Sequence, residues 1–264
     1  MLATSQGYCC HIEPYPGYAE AGTDEYDLGS AGNVVFYLAK KLREAKGDDK
    51  ELSITTDNFF TSIPLLTKLK SDLNIISTGT IRRNRIPSNP VDENALHQRG
   101  DMLCYKEAES RIFLTAWKDN KAVMVASSSI GATPVTKVKR FCRREKKKIE
   151  IPFPMSIAHY NRTMGGVDLM DQSVSHCRSS IRGKKWYYPI AIALFDITIV
   201  NAWHLYRLVT CDTKKINFFE FTSLNILPRR TGVAAARKPR ISSASSAKSI
   251  CIRKTVFSCI NHTK

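Results

Sequence analysis

The chain has 264 residues, of which 43% are hydrophobic, enough to form a folded core. Its 40 Lys and Arg outnumber its 24 Asp and Glu and give a formal charge of +16, which favours a polyanionic partner, although a ribosomal or membrane-surface protein carries similar charge. Eight scattered cysteines without a C-x-x-C pair, and no opening signal peptide, argue against a disulfide-rich secreted protein and favour reduced thiols inside the cell.

The first 81 residues are predicted to form an α/β unit. Residues 6–15 alternate in polarity as a strand does, and Ser30 is placed to cap a helix with an apolar stripe at helical spacing. The run ELSITT predicts a strand with Asp57 at its carboxyl end, and Ser62 and Pro64 suit the cap and first turn of a second helix. A further strand, IISTGTI, completes an alternation that is typical of α/β sheets, in which sites lie at the carboxyl ends of strands.

Residues 82–150 are predicted to form a β-rich insertion. LCYKEA, RIFLTAW and KAVMVAS read as strands, the last two joined by the turn KDN. The basic run 137–148 contains eight Lys or Arg and one Glu, and it has three interpretations: a solvated face, a nuclear import signal or a phosphate-binding loop. Its candidate DNA contacts are Lys139, Arg140, Arg143 and Arg144.

Residues 151–210 are predicted to be helical, with helices that begin near Pro154, near Val167 and at Pro189. The last helix contains the longest apolar run, which polar residues interrupt, so a buried core helix is a better interpretation than a membrane span. Residues 211–264 are predicted to be a basic, largely disordered tail, because they are too polar to form a core. The tail's candidate metal ligands are too few for a closed zinc site: Cys251, Cys259 and His262.

Two acids follow a pair of glycines in YNRTMGGVDLMDQ. Asp168 and Asp171 would lie one turn apart on a helix that starts near Val167, where they repel each other. A divalent cation such as Mg²⁺ would relieve that repulsion, and Asp57 could complete a site for two-metal phosphoryl transfer. The alternatives are structural: Asp168 as a first-turn acid that complements the helix dipole, and Asp57 as a turn residue after a strand.

A second candidate site is the run from Arg178 to Tyr188, which is both basic and aromatic. Four cations could hold phosphates: Arg178, Arg182, Lys184 and Lys185. Trp186 could stack on an unpaired base, or it could pack into the core at the start of a helix.

Six motifs in a fixed order identify a family resemblance that covers roughly residues 5–208. They are DNFFTSIPLL (57–66), TGTIRRNRIP (78–87), RGDM (99–102), WKDNKAV (117–123), YNRTMGGVDLMDQ (160–172) and SIRGKKWYYPIAIALFDITIVNAWHLYR (180–207). In this order they resemble the piggyBac-type transposases, a family that also includes host genes derived from such elements.

The resemblance implies a ribonuclease-H-like core with a DDD site that cuts and joins DNA with Mg²⁺. Asp57 and Asp168 match the second and third catalytic aspartates, Asp171 matches an additional functional aspartate, and Trp186 matches a tryptophan near the active site. The implied partner is DNA, with a homodimer in full-length relatives and with neither a membrane nor a small-molecule substrate. We expect the nucleus as the location, because the runs 137–148 and 229–240 resemble import signals.

The sequence departs from the family where the first catalytic aspartate is expected. No DEQ-like segment precedes residue 20, so the resemblance implies a core without its central first strand; Asp24 and Asp27 fall in a predicted loop and are poor substitutes. We therefore expect a transposase-derived DNA-binding protein that is inactive alone. The alternatives are a host nuclear protein that binds DNA or chromatin without chemistry, and a recombinase completed by another source of the strand.

Overall fold

The computed structural model describes residues 1–14, 25–86, 90–143, 145–179, 183–209, 218–223 and 249–252. The strands in this part of the chain are β1 (Leu2–Thr4), β2 (Cys9–His11), β3 (Leu52–Thr56), β4 (Ile75–Thr80), β5 (Met102–Lys106), β6 (Phe113–Lys118), β7 (Ala122–Ser127), β8 (Thr136–Cys142), β9 (Lys147–Phe153) and β10 (Ser249–Ile252). The α-helices are α1 (Gly29–Lys46), α2 (Ile63–Leu73), α3 (Met155–Thr163), α4 (Gly166–Cys177), α5 (Tyr188–Val209) and α6 (Phe218–Ser223).

Eight strands form one mixed sheet in the order β2-β1-β10-β3-β4-β7-β6-β5, which confirms the expected α/β class. β10, β3 and β4 are parallel to one another, and every other neighbouring pair is antiparallel. The strands predicted as an insertion continue this sheet, because β7 pairs directly with β4 in the register Thr78↔Ser127. β8 and β9 form a separate two-stranded hairpin.

The strand between β1 and β3 comes from the far end of the sequence. Ser249–Ile252 lies in the region predicted to be a disordered tail, yet it forms β10 inside the sheet. It therefore occupies an interior position of the sheet, between β1 and β3. Residues 211–264 were predicted to be largely disordered, and two segments among them have regular structure instead: α6 (Phe218–Ser223) and β10. Residues 211–217, 224–248 and 253–264 lie outside the described part of the chain.

Local signals predicted the starts of α2 and α3 correctly. Ser62 accepts a hydrogen bond from the Leu65 backbone N–H at 3.4 Å and caps α2, and α3 starts directly after Pro154. The cap prediction at Ser30 was wrong, because α1 already begins at Gly29 and Ser30 lies inside the helix. The strand predicted over residues 6–15 is restricted to Cys9–His11.

The sheet is buried on both faces near β3. Leu2 and Ile54 pack with α1 and α2 in one core cluster, together with Leu38 and Leu65. Ala3 packs with Val167 of α4 on the opposite face. The helices therefore cover β1 and β3 from above and below.

One side of helix α5 packs against the edge of the sheet. Its Ile197 and Val200 pack with Cys9 and α4, and Asn201 both donates to the Cys9 carbonyl and accepts from the Cys9 N–H at 2.9 Å. The prediction of a buried core helix was wrong for the other side, where exposed apolar side chains are Leu194, Phe195, Leu205, Leu208 and Val209. In length and composition α5 is the described helix that could cross a membrane, a criterion that core helices of soluble proteins also meet.

Candidate functional site

Asp57 lies in a tight turn immediately after β3. Its Oδ1 accepts a hydrogen bond from the Asn58 N–H at 2.6 Å, and its backbone carbonyl accepts from the Phe60 and Thr61 N–H groups at 3.0 and 3.1 Å. The side chain is half-buried. The turn after the strand was the structural alternative for Asp57, and it holds the carboxylate in a fixed position at the carboxyl end of β3.

Two hydroxyls and a glycine fix the base of this turn. Thr61 Oγ1 lies 2.8 Å from Thr56 Oγ1 and donates to the Asp57 carbonyl at 2.9 Å. A Cβ at Gly79 of the neighbouring strand β4 would lie 2.2 Å from Thr61 Oγ1 and 2.5 Å from Thr56 Oγ1. Only glycine leaves room here for the two threonine hydroxyls, so Gly79 of the neighbouring strand lets them hold the turn that carries Asp57.

Two arginines that we had not predicted as site residues also hold the turn. Arg85 Nη1 donates to the carbonyls of Phe59 and Thr61 at 2.7 and 3.1 Å, and Arg82 Nη2 donates to Asn58 Oδ1 at 3.2 Å. The available signal was the run of cations in RRNR, which follows β4 and therefore emerges at the same edge of the sheet as Asp57.

The helices α3 and α4 are anchored to the same strands. Thr55 Oγ1 lies 2.6 Å from Thr163 Oγ1 at the end of α3, and Thr80 Oγ1 lies 3.2 Å from the Tyr160 hydroxyl. Both Thr55 and Thr163 are buried. These contacts hold the junction between α3 and α4 against the strand that leads into Asp57.

The glycine pair before α4 sets how closely the helix approaches the sheet. A Cβ at Gly166 would lie 2.1 Å from the Thr4 carbonyl oxygen, whereas one at Gly165 would meet nothing within 4 Å. Asp168 is exposed and is the acidic residue in the first turn of α4. This position agrees with the alternative that its carboxylate complements the helix dipole. The helix thus begins one residue before the predicted Val167.

Asp171 follows one turn later and is half-buried on the side of β2. Burial raises the pKa of the neighbouring Cys9 thiol to about 11, with a smaller contribution from the Asp171 carboxylate. Among the described residues no group of three or more His, Cys, Asp or Glu side chains is placed to hold a metal ion. Asp57, Asp168 and Asp171 therefore do not form a three-ligand metal cage in this structure, and their role as ligands stays a prediction.

Residues 183–187, the described part of the basic and aromatic run directly before α5, form a solvent-exposed loop. Trp186 is 81% exposed, which rules out the alternative that it packs into the core. Its ring meets Tyr187 edge-on at 6.0 Å between centroids, and Tyr187 stacks with Tyr188 at 5.9 Å. A Cβ at Gly183 would lie 2.2 Å from the Tyr188 ring, so the glycine lets the loop fold tightly over that ring. Lys184 and Lys185 are exposed beside the three aromatic rings.

A buried carboxylate ties this region to α4. Asp196 of α5 is 1% exposed and accepts hydrogen bonds from Ser179 through its N–H at 3.1 Å and its Oγ at 2.8 Å. Ser179 follows Arg178, which ends α4 and is exposed. The aspartate that interrupts the apolar sequence of α5 therefore positions the start of the basic run.

The basic run 137–148 is a β-hairpin rather than a loop. Lys139 is exposed and lies 4.0 Å from Glu150, and Arg143 is exposed. Arg140 differs, because its Nε lies 3.4 Å from Asp119 and its guanidinium packs over the Phe153 ring. Arg140 is therefore held against the protein and is a weaker candidate for DNA contact than its neighbours.

Several predicted residues lie outside the described part of the chain: Arg144, Arg182, Asp24, Cys259, His262 and the run 229–240. Only the backbone of Cys251 is described, in β10. Asp27 is exposed in the turn just before α1.

Comparisons with known proteins agree on one family. A family model described as Transposase IS4 matches residues 1–203. Human PiggyBac transposable element-derived protein 3 is 36% identical over 222 residues, which are 83% of this chain and 36% of that protein. Human PiggyBac transposable element-derived protein 2 is 28% identical over the same length, with the same two shares.

One solved structure has a similar fold: the cryo-EM structure of a piggyBac transposase synaptic complex with hairpin DNA. It aligns with a TM-score of 0.56 at 23% identity, and the match covers 78% of this chain and 40% of that chain. At this identity the likeness concerns the fold alone. The chain spans about a third of the length of the curated relatives that it matches.

Proposed function

Since this chain belongs to the Transposase IS4 family and is of the piggyBac type, we propose that it is a transposase-derived protein that binds DNA through a ribonuclease-H-like core. The observation that carries the proposal is the exposed loop 183–187 with the adjoining Tyr188, called the Trp186 loop. Its three aromatic rings lie beside Lys184 and Lys185. The arrangement of β2, β1, β10, β3 and β4, with Asp57 at a carboxyl end, supports the proposed core.

The Trp186 loop has the two features that single-stranded DNA needs. An exposed indole can stack on an unpaired base, which contributes about 1–3 kcal/mol per base. Two adjacent lysines can neutralise phosphates on either side of that base. The edge-on contact with Tyr187 leaves the indole of Trp186 81% exposed, so the ring is available to stack on a base.

The test is a fluorescence-anisotropy titration of a labelled single-stranded oligonucleotide. Trp186→Ala should weaken binding by about 5- to 150-fold, the range that corresponds to one lost stacking contact. Leu205→Ala is the matched control, because Leu205 is an exposed apolar side chain, 48% accessible, on α5, the helix that follows the loop. Equal affinities for the parent, Trp186→Ala and Leu205→Ala would refute the stacking role.

The outer face of the β8–β9 hairpin is the second proposed DNA contact. Lys137, Lys139 and Lys148 are exposed around Phe141, and the register places Lys148 opposite Phe141. The double variant Lys137→Ala, Lys148→Ala should reduce the slope of log K against log salt by about 1.8, since each phosphate contact contributes about 0.9. Arg140→Lys serves as the control, because Asp119 already holds that cation.

The chemistry of the site is a separate part of the proposal. DDE-type transposases use divalent metal ions. Asp57 and Asp168 have the donor type that suits Mg²⁺, but the described residues do not provide the ligand group that a metal pair needs, and Ser249–Ile252 contains no acid. We therefore propose that the isolated chain binds DNA without excising or joining it. Metal-dependent nicking by the purified chain that Asp57→Ala abolishes would overturn this part.

The proposed location is the nucleus, where its DNA partner is found. An import receptor can bind the hairpin 137–148, because its lysines are exposed to solvent. A fluorescent fusion should accumulate in the nucleus, and a uniform cytoplasmic signal would contradict the prediction.

A further inference from the structure

The position of β10 gives the sheet an unusual junction. Ser249–Ile252 pairs antiparallel with β1 through Leu2↔Ile252, Ala3↔Cys251 and Thr4↔Ile250, and it pairs parallel with β3 from Ser53↔Ser249 to Thr56↔Ile252. Among the described residues, β10 is the strand that joins the β2–β1 hairpin to the five strands on the other side of the sheet.

The slot that β10 occupies is closed on both faces. On one face Leu2 and Ile54 pack under α1 and α2, and on the other Ala3 packs against Val167 of α4. Leu2, Ala3, Ile54, Thr55 and Thr56 are all 1% exposed or less. Backbone N–H and C=O groups that lose their partners in such a place cost about 1–3 kcal/mol each. The slot therefore has a strong preference for an extended segment over an open gap.

The segment that fills the slot is short and has the composition of a buried strand. SICI combines two β-branched isoleucines with two small residues, as short interior strands do. It is shorter than β3, and the 25 residues 224–248 separate it in sequence from α6. Over only four residues, the hydrogen bonds to β1 and β3 are what hold β10 in the sheet.

We propose that the gap between β1 and β3 is a strand-accepting site, which the chain's own Ser249–Ile252 fills in cis and from which it exchanges. The ligand class is an extended peptide of about four residues, with β-branched side chains and free backbone N–H groups, which adds to both edges at once. Exchange leaves β1 and β3 as two facing edges, ready to pair with another segment of the same chemistry.

The first experiment traps the strand by a disulfide in the full chain. Ala3 and Cys251 are register partners, and antiparallel partners have Cα atoms about 4.5–5.5 Å apart, within the range that a disulfide spans. Because Ala3 also pairs with Cys9, Ala3→Cys is made together with Cys9→Ser. Mild oxidation should give a monomer that mass spectrometry shows to be linked between position 3 and Cys251. The control is Thr4→Cys with Cys9→Ser, which is out of register with Cys251 and should not link to it.

The second measurement tests exchange with a labelled peptide of the sequence AKSICIRK, which copies residues 247–254. Added in excess before oxidation, the peptide should reduce the internal link severalfold, whereas a scrambled peptide should not. Ile250→Pro, which removes a strand N–H, should bind the peptide at least about tenfold more tightly than the parent, and Ser243→Pro should match the parent. If no link forms between position 3 and Cys251, the strand-accepting site is refuted. If the link joins two chains, Ser249–Ile252 does not fill the site of its own chain. If excess peptide leaves the internal link unchanged, the strand does not exchange.

Discussion

Replacement of Gly166 by alanine should push α4 away from the sheet. The added Cβ would lie 2.1 Å from the Thr4 carbonyl oxygen and 2.9 Å from its carbon, and both are backbone atoms of β1. Ordinary contact begins near 3.4 Å, so the helix must move by about 1 Å or more. That movement would open the buried contact between Val167 and Ala3 and displace Asp168 with the helix.

The magnitude follows from the packing. Overfilling a well-packed contact costs about 1–3 kcal/mol. The better helix propensity of alanine offsets little of this cost, because Gly166 is the first residue of α4 rather than an interior one. A loss of about 1–3 kcal/mol lowers the Tm of a domain of this size by roughly 2–4 °C per kcal/mol. Thermal unfolding followed by circular dichroism, with urea unfolding as a second measure, detects a change of this size.

Gly165→Ala is the matched control, since the same substitution one residue earlier meets nothing within 4 Å. Its backbone φ of −85° is also open to alanine. We expect its unfolding free energy to stay within about 0.5 kcal/mol of the parent. The packing argument is refuted if Gly166→Ala is as stable as the parent, or if both variants lose the same stability.

Three further outcomes are expected. Burial, and then Arg207, lower the pKa of His204 from 6.5 to about 4. As the pH falls, the unfolded chain therefore takes up the proton first, and stability that is present above pH 6.5 is lost between pH 6.5 and 4. His204→Phe should make the urea midpoint less dependent on pH across this range. Asn201→Leu removes both hydrogen bonds to the Cys9 backbone and should cost about 1–3 kcal/mol, with faster hydrogen exchange in β2. Trp186→Ala should change the unfolding free energy by less than about 0.5 kcal/mol, because the ring is 81% exposed; a larger loss would assign the ring to the core.

Local signals in the sequence were sufficient where the structure depends on neighbouring residues. Ser62, Pro64 and Pro154 predicted their helices because caps and proline act within one turn. Asp57 was predicted at a strand end because the β-branched run Ile54–Thr56 stops there. Asp168 and Asp171 were placed on a helix by their spacing. Whether these three acids act together depends on tertiary distances, which spacing does not encode.

The remaining features could not be predicted because their causes lie far away in the sequence. β10 is four residues in a polar tail, and only the edges of β1 and β3 make it a strand. The exposed side of α5 was missed because apolar residues all round a helix normally indicate burial. Arg140 resembled its basic neighbours until Asp119, 21 positions earlier in the numbering, was found beside it.

The central place of β10 also has a consequence for synthesis on the ribosome. β1 and β3 leave the exit tunnel long before Ser249–Ile252, about two hundred residues later in the case of β3. During that interval β1, which pairs with β2, and β3, which pairs with β4, each expose one unpaired edge that a neighbouring nascent chain can pair with. The rate at which ribosomes translate the second half of the message should therefore affect the yield of folded protein, because it sets how long these two edges stay unpaired.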